Sequence, residues 1–229
     1  MTIRAPFLVS PLQARIPAEF EPLYKRTRKT VSDADKGLAI ELLAEAYCDL
    51  IDAGCVRLLN AIERAHTFKE LQDAQQTIED IKAKTRHYLR WVSGFIANDR
   101  LPPVIAHFHE LMHQMDIGEG TQPYIAFTIA QEPVANAQRL MTALQDGSAA
   151  DLDETIEMLI QVLEEAMVPL LIKPKELMKF NFVVDRTLNG VLAISMKLYK
   201  HVVRKLAHKL PRELYPELGA HLGTFMVVE

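Results

Sequence analysis

The sequence is short of the residues from which reactive sites are commonly read. It has two cysteines, Cys48 and Cys55. Seven positions apart on one helix, they would lie about 10.5 Å from each other along its axis, beyond the reach of a disulfide. Two reduced, buried thiols acting as small apolar groups suit a reducing cytoplasm. None of the nine glycines stands in a phosphate-cradling loop between a strand and a helix, and no serine or cysteine sits in a G-x-S-x-G elbow. Nucleotide loops and elbow nucleophiles are thereby excluded.

Long apolar runs are missing as well. No uninterrupted stretch approaches the roughly 18 residues of a membrane span. The N-terminal MTIRAPFLVSPLQARIP is broken by Pro6 and Pro11 before it can build the apolar core of a secretion signal. Nor does one sign of charge dominate: the net charge is -4 with both signs plentiful, which argues against a surface built throughout to hold nucleic acid or an anionic membrane. A soluble cytoplasmic protein is the expectation.

What the sequence does have is apolar material at helical spacing. Apolar residues make up 49% of 229, enough for a substantial core. Residues 1–31 carry Pro6, Pro11, Pro17 and Pro22. Proline removes amide donors and disfavours helical backbone before it, so this part reads as an extended arm ending in the basic run Lys25, Arg26, Arg28 and Lys29. Ser32-Asp33-Ala34-Asp35 then supplies a cap and first-turn acids for a helix running to about residue 65, with Gly54 placed to bend it. Thr67 caps a second helix. Its Leu71, Ala74, Ile78, Ile81, Thr85, Tyr88, Val92 and Phe95 alternate three and four apart, the arithmetic of a coiled-coil seam. The two helices are expected to fold back as a long antiparallel hairpin.

Beyond the hairpin, Asn98 to Pro103 restarts the chain in a helix over about 103–115. After a break from Asp116 to Pro123, the segment 123–145 is helical in pattern with a kink at Pro133. A fifth helix begins near Ala149, with Leu152, Ile156, Leu159, Leu163 and Met167 as its inner stripe. A last long helix covers about 176–209 and is stopped by Pro211. The tail HLGTFMVVE reads as a short strand or an apolar strip. A strand needs a partner, and Phe7-Leu8-Val9 is the visible candidate. The expected fold is all-α: a bundle of about six or seven helices around the hairpin, forming one domain over 32–229 behind the arm.

One motif raises the question of chemistry. His109-Glu110-Leu111-Met112-His113 fits H-E-x-x-H, in which two histidines share a helix face to hold zinc and the glutamate polarises a bound water. On this reading His109 and His113 are metal ligands and Glu110 is the catalytic base. The extended form of the motif fails, because Asp116 and Glu119 stand where a glycine and a third histidine belong. Glu132, the nearest candidate for a third ligand, is uncorroborated. A di-iron site is the other metal reading, pairing Glu110-x-x-His113 with Glu63-x-x-His66 and recruiting Glu45 and Glu79. Against both stands the plainer expectation of a partly exposed helix whose histidines pair locally, with no cofactor.

A second constellation is the basic stripe Lys197, Lys200, Arg204, Lys205 and His208 near the end of the last helix, which exceeds what the helix dipole requires and offers a patch for an anionic partner. The acids of 146–165 are placed to face it, within one chain or across a dimer. No aromatics interleave these cations and no recognition helix emerges, so sequence-specific reading of nucleic acid is not expected. Trp91, beside Arg90, reads as a packing residue ahead of an interface anchor. The balance falls on a cytoplasmic helical protein-interaction or regulatory module that self-associates and acts through surfaces. A helical metalloprotein or metal-dependent hydrolase built on HELMH is the alternative. A bundle of this kind also has room for an apolar ligand that leaves no motif.

Overall fold

A computed structural model describes residues 7–56, 70–117, 120–146, 152–207 and 211–227. The chain is mostly helical. In order it forms β1 (Phe7–Pro11), α1 (Arg15–Thr27), α2 (Asp33–Ile51), a wide π-type turn (Asp52–Val56) and α3 (Glu70–Ser93). There follow α4 (Leu101–Leu111), β2 (Met112–Asp116), β3 (Thr121–Thr128), α5 (Gln131–Gln145) and α6 (Leu152–Met167). The chain then continues through α7 (Lys173–Met178), α8 (Phe182–Ala207), α9 (Tyr215–Gly223) and β4 (Met226–Val227). No helix among the described residues is long and apolar enough to cross a membrane. Contacts divide the chain into two compact units, one drawing on residues 10–126 and 176–179, the other on 7–9, 127–175 and 180–227.

The first unit begins where an extended arm was expected, and the arm, extended over Phe7–Pro11, is a helix over Arg15–Thr27. Pro17 falls in the first turn of α1, where an amide has no partner to lose. Pro22 stands inside the helix and removes one hydrogen bond. The helix survives because Ile16, Phe20, Leu23 and Thr27, at steps of three and four, are all buried. Thr27 Oγ1 donates to the Leu23 carbonyl at 2.7 Å, which satisfies its hydroxyl inside the core. The next helix starts as its sequence dictates. Ser32 accepts from the Asp35 amide while Asp35 accepts from the Ser32 amide, a reciprocal capping box. The Ser32 hydroxyl, and then the Arg26 guanidinium, hold the Asp35 carboxyl below its ordinary value.

α2 packs on both α1 and α3, and because Lys36 near its start reaches the Ile96 carbonyl while Asp52 at its end meets Lys82, α2 and α3 run antiparallel where they are described. Ala39, Ile40, Leu42, Leu43, Ala46 and Cys48 form its buried side. α2 gives way at Asp52 to the π-type turn that contains Gly54. The expected continuation through Leu58, Leu59 and Ile62, and the Thr67 cap, lie outside the described residues. At its far end Asp49 is buried and accepts from Gln13 twice, from the backbone amide at 2.8 Å and the side-chain amide at 2.7 Å. Burial pushes the Cys48 thiol up from its ordinary value.

The all-α expectation fails at 112–128. Helix α4 ends at Leu111, and β2 pairs antiparallel with β3 from Met112↔Ile125 to Asp116↔Thr121. Gly120 has φ of 85°, the left-handed backbone that a tight reversal between strands needs. Neither strand shows the alternation that would have announced it. The interior of β3, Tyr124 to Phe127, is buried residue after residue, and such an unbroken run is hard to tell from buried helix. The segment expected to be helical from 123 is therefore a strand followed by α5. Pro133, at the third position of that helix, needs no kink.

In the second unit the tail finds its partner. β4 pairs antiparallel with the start of β1, with Phe7 opposite Val227 and Leu8 opposite Met226, and the Val9 amide donates to the Phe225 carbonyl at 2.8 Å. On α5, Ala137, Leu140, Met141 and Leu144 are buried at helical spacing and pack on α6 and α9. Gly219 of α9 brings that helix so close that a Cβ there would meet the Met141 carbonyl at 2.8 Å and Leu144 Cβ at 3.0 Å. The inner face of α6 is wider than the expected stripe. Ile156 is buried as expected, but Thr155, Met158, Ile160, Val162 and Ala166 are the residues buried with it, while Leu159, Leu163 and Met167 are half-buried.

Candidate functional site

The HELMH segment does not form the helix face that a zinc motif needs. His109 and Glu110 lie on α4, but Met112 turns to extended backbone and His113 falls on β2, opposite Tyr124. The i,i+4 geometry that would bring both imidazoles to one ion is lost at that change, because sharing a face at four-residue spacing is a property of the helix alone. His113 and Glu110 are exposed. His109 has local partners instead. Its Nε2 donates to the Glu21 carboxylate of α1, and its ring stacks on Tyr24, centroids 3.9 Å apart and planes 16° from parallel. Lys25, with a weaker contribution from His109, holds the Glu21 carboxyl below its ordinary range.

The wider donor set does not converge either. Among the described residues, no three His, Cys, Asp or Glu side chains form a group able to hold a metal ion. Glu45 is committed to Arg15 at 2.7 Å and Glu79 to Lys82 at 3.0 Å. Glu63 and His66 lie outside the described residues. Beside the His109 and Tyr24 stack is a shallow cleft of about 240 Å³, lined by Tyr24, Thr27, Arg28, Pro102, Pro103 and Ala106. Of the basic run that borders it, Lys25 pairs with Glu21 at 2.9 Å and Arg26 with Asp35 at 2.5 Å.

The basic stripe of α8 meets the acids of α6 within the chain. Arg204 grips Glu157 in bidentate fashion, with Nη2 to the two carboxylate oxygens at 2.7 and 3.0 Å and Nε at 2.9 Å. Lys200 pairs with Glu164. Lys197 is exposed. The side chain of Lys205, and His208 as a whole, lie outside the described residues. A bidentate guanidinium already satisfied by a carboxylate has few donors left for a phosphate.

The distinctive surface is on α3. The expected seam shares one line of residues with the observed one, Ile78, Thr85 and Val92, of which Ile78 and Val92 are 7% and 6% exposed. The flanking line differs. The helix turns Lys82 toward its neighbours and leaves Ile81 out, Tyr88 and Leu89 are both half-buried, and in the turn beyond Ser93 Ile96 is covered while Phe95 is exposed. Ile96 is 2% exposed, whereas Ile81 and Phe95 are 43% and 48% exposed. Leu71 and Ala74, the remaining seam positions, have side chains outside those described. Lys82 is accommodated by two carboxylates, Asp52 at 2.8 Å and Glu79 at 3.0 Å. Burial opposes its charge, but these two outweigh it and hold the ammonium above its ordinary range.

With Lys82 inward, Ile81, Trp91 and Phe95 face solvent, while Tyr88 is half-buried with its hydroxyl enclosed. Trp91 is 41% exposed and lies between Tyr88, at 5.7 Å between centroids, and Phe95, at 5.0 Å and edge-on. Ile81, Tyr88 and Trp91 fall seven and three residues apart on α3, and Phe95 follows four residues on, in the turn after Ser93. The heptad arithmetic in the sequence admitted both lines, and apolarity alone favoured the one that the fold leaves open. The missed signal was the carboxylate pair that makes an inward lysine tolerable. Neither a protein-family model, nor a curated protein, nor a solved structure matches this chain.

Proposed function

We propose that this chain is a helical protein-interaction or regulatory module of the reducing cytoplasm that self-associates through the outer face of α3. The observation that supports this reading is the exposure of Ile81 and Trp91 on α3 and of Phe95 in the turn that follows it, while Ile78 and Val92 of the same helix are buried. Single exposed apolar residues are ordinary on protein surfaces, but an ordered aromatic stripe is what interfaces are built on. Tryptophan and tyrosine are also the residues most enriched at binding hot spots.

Light scattering on the chromatographed protein tests the proposal. A dimer or higher species at micromolar concentration is expected, with Trp91→Ala shifting it toward monomer. A protein that stays monomeric at high concentration and binds no other protein through this face would sink the reading.

A further inference from the structure

The second unit carries an exposed apolar pair of its own. Phe182 and Val183 form the first turn of α8 and are 75% and 71% exposed, more than any other large apolar side chain among the described residues. Capping fixes their place. The Asn181 side chain accepts from the Val184 amide at 3.0 Å, and the Asn181 carbonyl accepts from the Asp185 amide at 2.9 Å. Val184 and Leu188, four residues apart, are buried on the inner side. Burial thus anchors α8 by one line and leaves Phe182 and Val183 on another.

From Val183 the outer line continues at steps of three and four through Arg186, Gly190, Ala193 and Lys197, all exposed. It holds cations and no carboxylate. Arg186 and Lys197 form no ion pair among the described residues. Asp185 is the one acid between Phe182 and Lys197, and it is turned to Lys175, which donates to it at 2.7 Å and to Asn189 at 2.6 Å. The acids of α6 that meet α8, Glu157 and Glu164, are held by Arg204 and Lys200.

We infer that this line docks on an anionic lipid surface, with Phe182 and Val183 entering the boundary between headgroups and acyl chains and Arg186 and Lys197 meeting lipid phosphates. Charge selects the sign of the partner, since no free carboxylate on the line opposes it. The apolar pair selects its class. Two cations about 16 Å apart, at 1.5 Å per residue, are too sparse to follow a nucleic-acid backbone, which also leaves Val183 with nothing to enter. A second copy laid on the same line would set cation against cation. A bilayer supplies phosphates and, just beneath them, an apolar layer. Gly190 and Ala193, small residues between the two cations, let the helix lie close to a flat surface. Docking here is independent of the α3 reading, because it uses another helix and needs no second copy.

The full chain is sedimented with vesicles of phosphatidylcholine alone and with vesicles containing about one third phosphatidylserine. Weak binding to the phosphatidylserine vesicles is expected, falling as salt rises. Side chains this exposed are replaced at little cost to folding. Phe182→Ser should weaken binding about tenfold or more and Arg186→Ala about fivefold, while Phe182→Leu keeps most of it. Binding to neither vesicle, or binding that Phe182→Ser leaves unchanged, overturns the inference. Equal binding to vesicles of phosphatidylcholine alone would remove Arg186 and Lys197 from it and overturn it too. Binding to single-stranded DNA that Phe182→Ser weakens equally would make the face a nucleic-acid site, with the same result. Light scattering on the same protein reports on α3 separately, so either reading can fail alone.

Discussion

The contact between α5 and α9 and the outer face of α3 are opposite outcomes of the same kind of sequence. Both helices present apolar residues three and four apart. On α5 the line Ala137, Leu140, Met141 and Leu144 is closed over by α9, and Gly219 lets the two backbones approach until no room remains for a methyl group. On α3 and the turn after it Ile81, Trp91 and Phe95 stay open, while a neighbouring line that includes a lysine is covered. Periodicity says that a helix has an apolar line. Which line is covered is decided by fit and by where a charge can find its partners.

The largest effect expected from breaking the closed contact is at Leu144, which is fully buried. Leu144→Ala should cost about 2–5 kcal/mol, the range for cavities of this kind, seen as a lowered midpoint in urea with unchanged slope. A loss near zero would mean that α5 and α9 do not pack as described. Next comes Gly219→Ala, where the added methyl must displace the Met141 carbonyl. Overpacking of that sort costs about 1–3 kcal/mol, and a stabilised variant would refute the close approach.

The capping box of α2 marks the middle of the scale. Ser32→Ala should cost about 1 kcal/mol by thermal unfolding. Because Asp35 is held below its ordinary 3.8 in the folded chain, its ionised form stabilises the fold above that pH. The contribution is lost as the pH falls through the depressed folded value. Asp35→Asn should therefore lower stability at neutral pH and flatten its fall in acid. Parallel curves for the two proteins would remove Asp35 from the account.

The smallest effect on folding is expected on the open face. Trp91→Ala should change stability by no more than about 0.5 kcal/mol, as surface changes do, while the associated species disappears from light scattering. A large loss of stability in the monomer would mean that Trp91 is part of the core, and the contrast between the two helices would collapse.

Much of the helical architecture was legible. The Ser32 cap, the packing of α2 on α3 and most of the last long helix, expected over 176–209 and found from Phe182 after a break at Lys179, follow from side-chain spacing and capping chemistry, which act within a few residues. The pairing of Phe7 and Leu8 with the tail was one of two readings the sequence left open, a strand or an apolar strip, and the structure chose the strand. The helix at 15–27 was obscured by its prolines. Each proline is costly only where an amide is needed, and at Pro17 none is. The β2–β3 hairpin was obscured because burial without alternation carries no strand period. The HELMH segment illustrates the consequence for function. Five residues in a row satisfied a motif, but the motif assumes a helix, and pairing with β3 ended that helix after Leu111.

By itself, then, the amino-acid order determined where α2, α4 and α6 begin, that these helices have apolar faces, and that acids of α6 and bases of α8 carry matching charge. The tertiary structure alone decided that His109 turns to Glu21 and Tyr24, that His113 leaves the helix, and that Lys82 goes inward while Trp91 stays out. The reason is range. Caps and periodicities are settled by neighbours a turn away, whereas the choice between two lines on one helix depends on carboxylates and packing partners that folding brings from elsewhere in the chain.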